Sequence, residues 1–274
     1  MLDLHTHSQY SKHATGDVED VVKSAIAKGI EILCLTDHAP YFIDSNNRIL
    51  ESELHQYIKE VRSISSKYSE KIKVLVGLEV DYHPEHEDYI SQLLDSVEVD
   101  YVIGSIHYVY VDDKKINVWD IEHLSSTDFI DNYFFYLRKM VASGFFDSIA
   151  HPDTIMRGGI SSYEFYERFL PLAQAMKSCG VSYEINCSSP TKPNFDPKTK
   201  ISTLGSAVYP NYKLVATLIE QGLSFTIGSD AHKPSDVGYG VHRNLELSMK
   251  VGMHSITYYE ARKPFILPIS RFLK

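Results

Sequence analysis

Apolar positions along this chain switch repeatedly between two periods. Alternating or continuous apolar runs, the mark of strands buried in a sheet, are LDLHTH from Leu2, EILCLTDH from Glu31, IKVLVGLEVDY from Ile72, YVIGSIH from Tyr101, FDSIAHPD from Phe146, VSYEINC from Val181 and LSFTIGSDAH from Leu223. HSITYY from His254 is a weaker run of the same kind. Between them, apolar residues recur at helical spacing over Val18 to Lys28, Glu51 to Tyr68, His86 to Ser96, Thr127 to Ser143, Tyr163 to Cys179 and Tyr212 to Gln221. Gly29, Gly144, Gly180 and Gly222 follow four of these segments, where a residue tolerant of positive φ ends a helix. This alternation predicts βαβ units and a parallel sheet. Two stretches break the rhythm. YVYVDDKKINVWD after His107 reads as a hairpin, and SSPTKPNFDPKTKISTLGSAVYP from Ser188 reads as a long loop, which compact domains usually keep for function.

Length and composition narrow the picture. A chain of 274 residues with no linker, repeat or low-complexity tract suits one α/β barrel, so residues 1–274 are expected to form a single domain. The formal net charge of -9 opposes a general affinity for nucleic acid or anionic membranes, which need a basic face. Cys34, Cys179 and Cys187 form no CxxC pair and are odd in number, the pattern of reduced thiols in a reducing compartment. No leader-like segment or membrane-length apolar run is evident, so the expected location is the cytoplasm.

The chemistry gathers at the carboxyl ends of the expected strands: His5 and His7, Asp37 and His38, Glu79 and Asp81, His107, His151 and Asp153, Glu184 and Asn186, Asp230 and His232. In a barrel of parallel strands those ends share one face, so residues remote in sequence meet there. His5 and His7, two apart on a strand, project to the same side and can chelate one ion. HTH, TDH, AHPD or SDAH alone is a pattern that chance supplies, and a lone histidine is more often structural than a ligand. Repeated imidazoles and carboxylates at the ends of apolar strands are different, because each would need its own buried partner. With His13, the candidates His5, His7, His13, His38, Glu79, His107, His151, Asp230 and His232 exceed what one or two ions need, and three ions fit better. Imidazole mixed with carboxylate suits Zn, Mn or Fe rather than Ca or Mg. His55, His83, His86, His123, His242 and His254 lie in helices, loops or turns and read as structural.

HTH, then His13, TDH, GLEVDY, GSIHY, AHPD, EIN and SDAH, in this order, resemble the PHP family, named for polymerase and histidinol phosphatase. The similarity runs from Leu2 to about His242 and is strongest to the family's monofunctional bacterial branch that acts on histidinol phosphate in histidine biosynthesis. It implies a distorted TIM-like (β/α)7 barrel with a trinuclear metal site. Carried over by position, His5, His7, Glu79 and Asp230 would hold one ion, Glu79 with His107 and His151 a second, and His13, His38 and His232 a third.

Clustered divalent ions suit phosphate-ester hydrolysis, with hydroxide bridging the ions attacking phosphorus. Glu79 and Asp230 would then be central to catalysis, with Asp37 and Asp81 as candidates for orienting ligand imidazoles. Arg157, expected at the mouth of the site, could grip the phosphate as a fork, a role the resemblance also suggests. Asp153, Glu184, Asn186, Tyr41 and Phe42 are available for an amine and imidazole, while Lys192 and Lys200 read as solvated loop charges. The expected partner is a small phosphate monoester. Other readings are a phosphoesterase acting on another monoester or on nucleic-acid ends, an amidohydrolase, which commonly needs a strand-end lysine absent here, and a non-catalytic metal-binding barrel.

Overall fold

The computed structural model describes residues 1–273. Its strands are β1 (Leu2–Thr6), β2 (Ile32–Leu35), β3 (Lys73–Asp81), β4 (Tyr101–Ser105), β5 (Tyr108–Val111), β6 (Lys114–Asn117), β7 (Ser148–Ile149), β8 (Ser182–Asn186), β9 (Asn194–Asp196), β10 (Ile201–Thr203), β11 (Phe225–Gly228), β12 (Ser255–Glu260) and β13 (Lys263–Pro268). The α-helices are α1 (Val18–Ala27), α2 (Leu54–Lys67), α3 (Glu87–Asp95), α4 (Thr127–Ser143), α5 (Ser162–Phe169), α6 (Ala173–Cys179), α7 (Tyr212–Glu220) and α8 (Val241–Lys250).

Seven strands form one sheet in the order β1-β2-β3-β4-β7-β8-β11, and every neighbouring pair is parallel. The sheet nearly closes on itself. Beyond β11, Asp230 N donates to His5 O at 2.8 Å and His7 N to Ala231 O at 2.9 Å, joining the last strand's extension to the first. The result is the expected distorted seven-stranded barrel, and its strand residues, Lys73 excepted, are buried on both faces because helices cover the outside. Local signals set the helix ends: Asp17 and Asp20 form a reciprocal capping box on α1, and Ser126 caps α4, which stops at Gly144 with φ 77°.

Several elements depart from the sequence expectation. The segment Tyr163 to Cys179 is not one helix, since Pro171 lacks the N–H a continuous helix requires, and a 3-10 turn over Leu170–Leu172 separates α5 from α6. HSITYY becomes β12, which stays outside the barrel and pairs antiparallel with β13. The latter carries no strand signal in the sequence, because KPFILP contains prolines and is largely exposed. The loop from Ser188 contains the small hairpin β9–β10, and α8 had no assigned counterpart. The hairpin after His107 is present as β5–β6, its turn made by Asp112 and Asp113 at φ 47° and 61°, the double positive φ of a tight hairpin turn. No described helix is long and apolar enough to cross a membrane.

Candidate metal centre

Glu79, near the end of β3, stands at the middle of the barrel mouth and is fully buried. Its two oxygens divide the surrounding imidazoles. Oε2 lies 3.3 Å from His5 Nε2, 3.5 Å from His7 Nε2 and 2.9 Å from His38 Nδ1. Oε1 lies 3.1 Å from His151 Nε2 and 3.5 Å from His107 Nε2. Asp230 Oδ1 faces His7 Nε2 at 3.5 Å, His232 Nδ1 at 3.6 Å and His5 Nε2 at 3.8 Å. His13 completes the rim, its ring centroid 4.8 Å from that of His232 and 5.2 Å from that of His38. Four sets of three have ligand atoms within 4.8 Å of one another: His5, His7 and Asp230; His5, Glu79 and His151; His38, Glu79 and His107; and His7, His38 and His232.

All nine residues expected as ligands therefore meet at one face, drawn from the ends of six barrel strands and from the loop that carries His13. The grouping differs from the expectation: His38 and His232 converge with His7, while His13 stands beside them, and Glu79 groups with His5 and His151 and with His38 and His107 rather than with His107 and His151 together.

The chemistry of this donor set fits divalent cations. His7 Nε2 and His38 Nδ1 are buried without a hydrogen-bond partner, although both face carboxylate oxygens. A lone pair aimed at a carboxylate repels it unless a proton or a cation lies between them. Burial drives His38 down to about 3 and His232 to about 4, and it lowers His7 well below the ordinary imidazole value with help from His232 and His38, so all three are neutral donors. Burial opposes ionisation of Glu79, yet His38, His5 and His107 hold its carboxyl well below the usual range.

A second layer of side chains orients these imidazoles. His5 Nδ1 donates to Glu184 Oε1 at 2.7 Å, while Glu184 Oε2 accepts from His151 N at 2.6 Å and Asn186 Nδ2 at 3.1 Å. Asp81 Oδ1 lies 2.9 Å from His107 Nδ1 and pairs on its other oxygen with the buried Arg48. Burial lowers the pKa values of His5 and His107, but the carboxylates around them outweigh it: Glu184 and Glu79 raise His5, and Asp81 and Glu79 raise His107. Ser11 Oγ pairs with His7 Nδ1 at 3.1 Å and is gripped by Asp37, whose carboxylate also takes Ser8 N and Ser8 Oγ. Asp37 and Asp81 thus both act on imidazoles, Asp37 through a serine.

The backbone adapts to the same end. His151 at φ 28° and Asp230 at φ 54° hold positive φ, a strained conformation for such residues, tied down by the bonds from His151 N to Glu184 and from Asp230 N to His5 O. Gly228 is needed for close approach, since a Cβ there would sit 2.2 Å from His5 Cβ and 2.8 Å from Glu184 Oε1.

Above the centre opens a cavity of about 490 Å³, walled also by Asp44, Asn47, Arg48, Tyr108, Asn117, Trp119 and Lys192. Several expected substrate contacts are elsewhere. Glu184 and Asn186 lie behind His5, turned away from the cavity, and are occupied by each other and by Ser188. Asp153 is fully buried, with Oδ2 taken by Tyr183 OH and Asn211 N. Tyr41 pairs with His86, and Phe42 is exposed beside it. Arg157 is not at the mouth: it is 1% exposed and spends N–H groups on Thr154 Oγ1, Val118 O and Pro193 O, with its guanidinium 4.4 Å from the Trp119 ring centroid. Lys192, read as solvated, instead lines the cavity with Nζ 3.5 Å from Asp230 Oδ2 and 4.6 Å from the Trp119 ring centroid. Lys200 is exposed beside Phe195. Arg48, Asp44 and Trp119 went unnoticed in the sequence; for Trp119 the signal was available, as it is the single tryptophan and lies in the irregular segment after His107.

The PHP domain profile matches residues 3–188. The chain belongs to the PHP domain family. A Deinococcus radiodurans protein described as a probable histidinol-phosphatase is 28% identical over 263 residues, 94% of this chain and 96% of that protein. The Lactococcus lactis histidinol-phosphatase is 27% identical over 284 residues, 96% of this chain and 95% of that protein. Among solved structures, a Lactococcus lactis histidinol phosphate phosphatase complexed with zinc, L-histidinol and phosphate superposes with a TM-score of 0.79 at 24% identity, covering 96% of this chain and 98% of that one, and so shares the barrel fold.

Proposed function

We propose that this protein is a phosphoric monoester hydrolase that converts L-histidinol phosphate to L-histidinol and phosphate in histidine biosynthesis, with three divalent ions of Zn, Mn or Fe. The observation that carries the reading is Glu79, one buried carboxylate whose two oxygens face two separate sets of imidazoles. Support for the substrate comes from the full-length similarity to relatives described as histidinol-phosphatases. The acidic chain and a cavity of about 490 Å³ favour a small monoester over a nucleic-acid end. The three free thiols suit a reducing compartment, which we take to be the cytoplasm, and residues 1–274 are read as one barrel unit.

In this reading His5, His7, Glu79 and Asp230 would hold one ion, Glu79 with His107 and His151 a second, and His13, His38 and His232 a third, with Glu79 and His7 near enough to neighbouring groups to be shared. When bound, such ions supply a hydroxide nucleophile near neutral pH and neutralise charge on phosphoryl oxygens. The rest falls to the chain. Glu79 and Asp230 bring negative charge that gathers the cations at one point, and Glu184, Asp81 and Ser11 keep the imidazole nitrogens aimed at it. Lys192 offers a cation at the cavity wall for a phosphoryl oxygen, in the role first expected of Arg157. Arg157 serves as a tie, because it binds Val118 O beside Trp119 and Pro193 O beside Lys192 and so fixes two walls of the cavity.

The direct test is phosphate release from L-histidinol phosphate by protein loaded separately with Zn, Mn and Fe. Metal-dependent turnover well above that on aryl phosphates or single-stranded DNA is expected. Preference for DNA ends would replace this reading with that of a nuclease.

A further inference from the structure

The cavity wall contains three carboxylates, and one of them is apart from the metal centre. Glu79 and Asp230 face imidazoles, whereas Asp44 lies on the polar segment before α2, on the wall that also carries Asn47, Arg48, Tyr108 and Asn117. Its position is held from both sides by neutral groups: Tyr108 OH donates to Oδ2 at 2.5 Å and Asn47 Nδ2 to Oδ1 at 2.6 Å. Its backbone is held in the left-handed region at φ 63°. Among the described residues no lysine, arginine or histidine lies within ion-pair distance of Asp44. Of the cations nearby, the Arg48 guanidinium pairs with Asp81 beneath the wall, and Lys115 Nζ lies over the Tyr108 ring, 4.9 Å from its centroid and outside ion-pair distance of Asp44. A carboxylate has room for about four hydrogen bonds, and two neutral donors leave both charge and acceptor capacity directed at the cavity.

Resting on the phosphatase reading above, we infer that Asp44 is the residue that selects the leaving group, by pairing with the ammonium of a phosphorylated amino alcohol. The neutral donors preorganise the carboxylate without cancelling its charge, so a cationic ligand meets a fixed counter-charge. Arg48 extends the same wall: it is 2% exposed, and its Nε and Nη1 are buried with no partner. The phosphate end would lie over Glu79 and Asp230 and the amine end against Asp44, which orients the ester across the cavity.

The experiment compares kcat/KM for L-histidinol phosphate, its N-acetyl derivative and p-nitrophenyl phosphate, using the metal-loaded full-length protein and the variants Asp44→Asn and Tyr108→Phe. The expected result is that the intact protein prefers the free amine over the acetylated ester, and that Asp44→Asn lowers this ratio by about tenfold to a hundredfold, as loss of a charge-assisted hydrogen bond does. Tyr108→Phe, which frees one carboxylate oxygen, should lower the ratio by a smaller factor, and it serves as the readout if Asp44→Asn fails to fold. An unaltered ratio in the folded variants overturns the role of Asp44 while leaving the phosphatase reading intact. Equal cleavage of free and acetylated esters by the intact protein does the same. No cleavage of any of the three esters with any metal overturns the phosphatase reading and this inference with it.

Discussion

Glu184 Oε1 lies 2.7 Å from His5 Nδ1, and both side chains are excluded from solvent. The carboxylate accepts only, so it places the imidazole proton on Nδ1 and turns the Nε2 lone pair toward Glu79 and Asp230. Replacing Glu184 with Gln keeps a hydrogen bond and removes the charge. Metal affinity should fall by about tenfold to a hundredfold, the usual effect of losing such a partner. Titration with Zn in a competing chelator measures it, and an unchanged dissociation constant would show that His5 needs no help from Glu184.

Glu79→Gln has a larger expected effect, since an amide offers a poor donor to the cations and removes the central negative charge. Turnover on phosphate monoesters should be almost abolished with the fold intact by circular dichroism, and total bound metal should drop from more than two equivalents, read by elemental analysis. Near-normal turnover would remove Glu79 from the centre of the mechanism.

Lys192→Ala and Arg157→Ala should fail in different ways. Loss of Lys192 removes a cation at the cavity wall, raising KM for phosphate esters with little change in melting temperature. Loss of Arg157 leaves the carbonyls of Val118 and Pro193 without their donor and opens a space beneath Trp119, so the melting temperature should fall, at a cost of about 2 to 4 kcal/mol in stability. Thermal unfolding and steady-state kinetics on both variants separate the two roles. A destabilised Lys192→Ala beside an unaffected Arg157→Ala would reverse them.

Gly228→Ala should be damaging out of proportion to its size. The added Cβ would meet His5 Cβ at 2.2 Å, so β1 and β11 must separate at the metal centre. A loss of about 1 to 3 kcal/mol in the metal-free protein is expected, with weaker metal binding as well. Denaturant unfolding with and without chelator reads both, and wild-type values in each would mean that the barrel seam is more yielding than its packing implies.

The convergence of the candidate ligands could be read from the chain because parallel strands in a barrel send their carboxyl ends to one face whatever lies between them. His5 and His7 could be paired from their spacing alone, and GLEVDY, AHPD and SDAH each end an apolar run. The cavity wall was harder to read. Asp44 and Arg48 belong to FIDSNNRIL, whose polar middle is that of any solvated loop, and only its packing against Tyr108 and Asp81 makes those charges meaningful. Arg157 failed the other way. A cation shortly after a ligand motif is expected at the mouth, but the 3-10 segment from Pro152 to Gly158 turns it into the protein, where backbone carbonyls accept from it.

By itself, then, the order of strands, helices and metal-binding residue types determined a βα barrel with imidazoles and carboxylates gathered at its mouth. Tertiary structure decided what each of those carboxylates faces. Glu79 and Glu184 are the same residue type near the ends of two buried strands, and nothing local separates them. Register and barrel closure do: Glu79 is beside His38 across a parallel bridge, with imidazoles on both oxygens, while Glu184 pairs with Thr226 and meets His5 from behind. The pleat assigns a side chain to a face, but its neighbours there depend on how the sheet coils and where it closes, and those are properties of the whole chain.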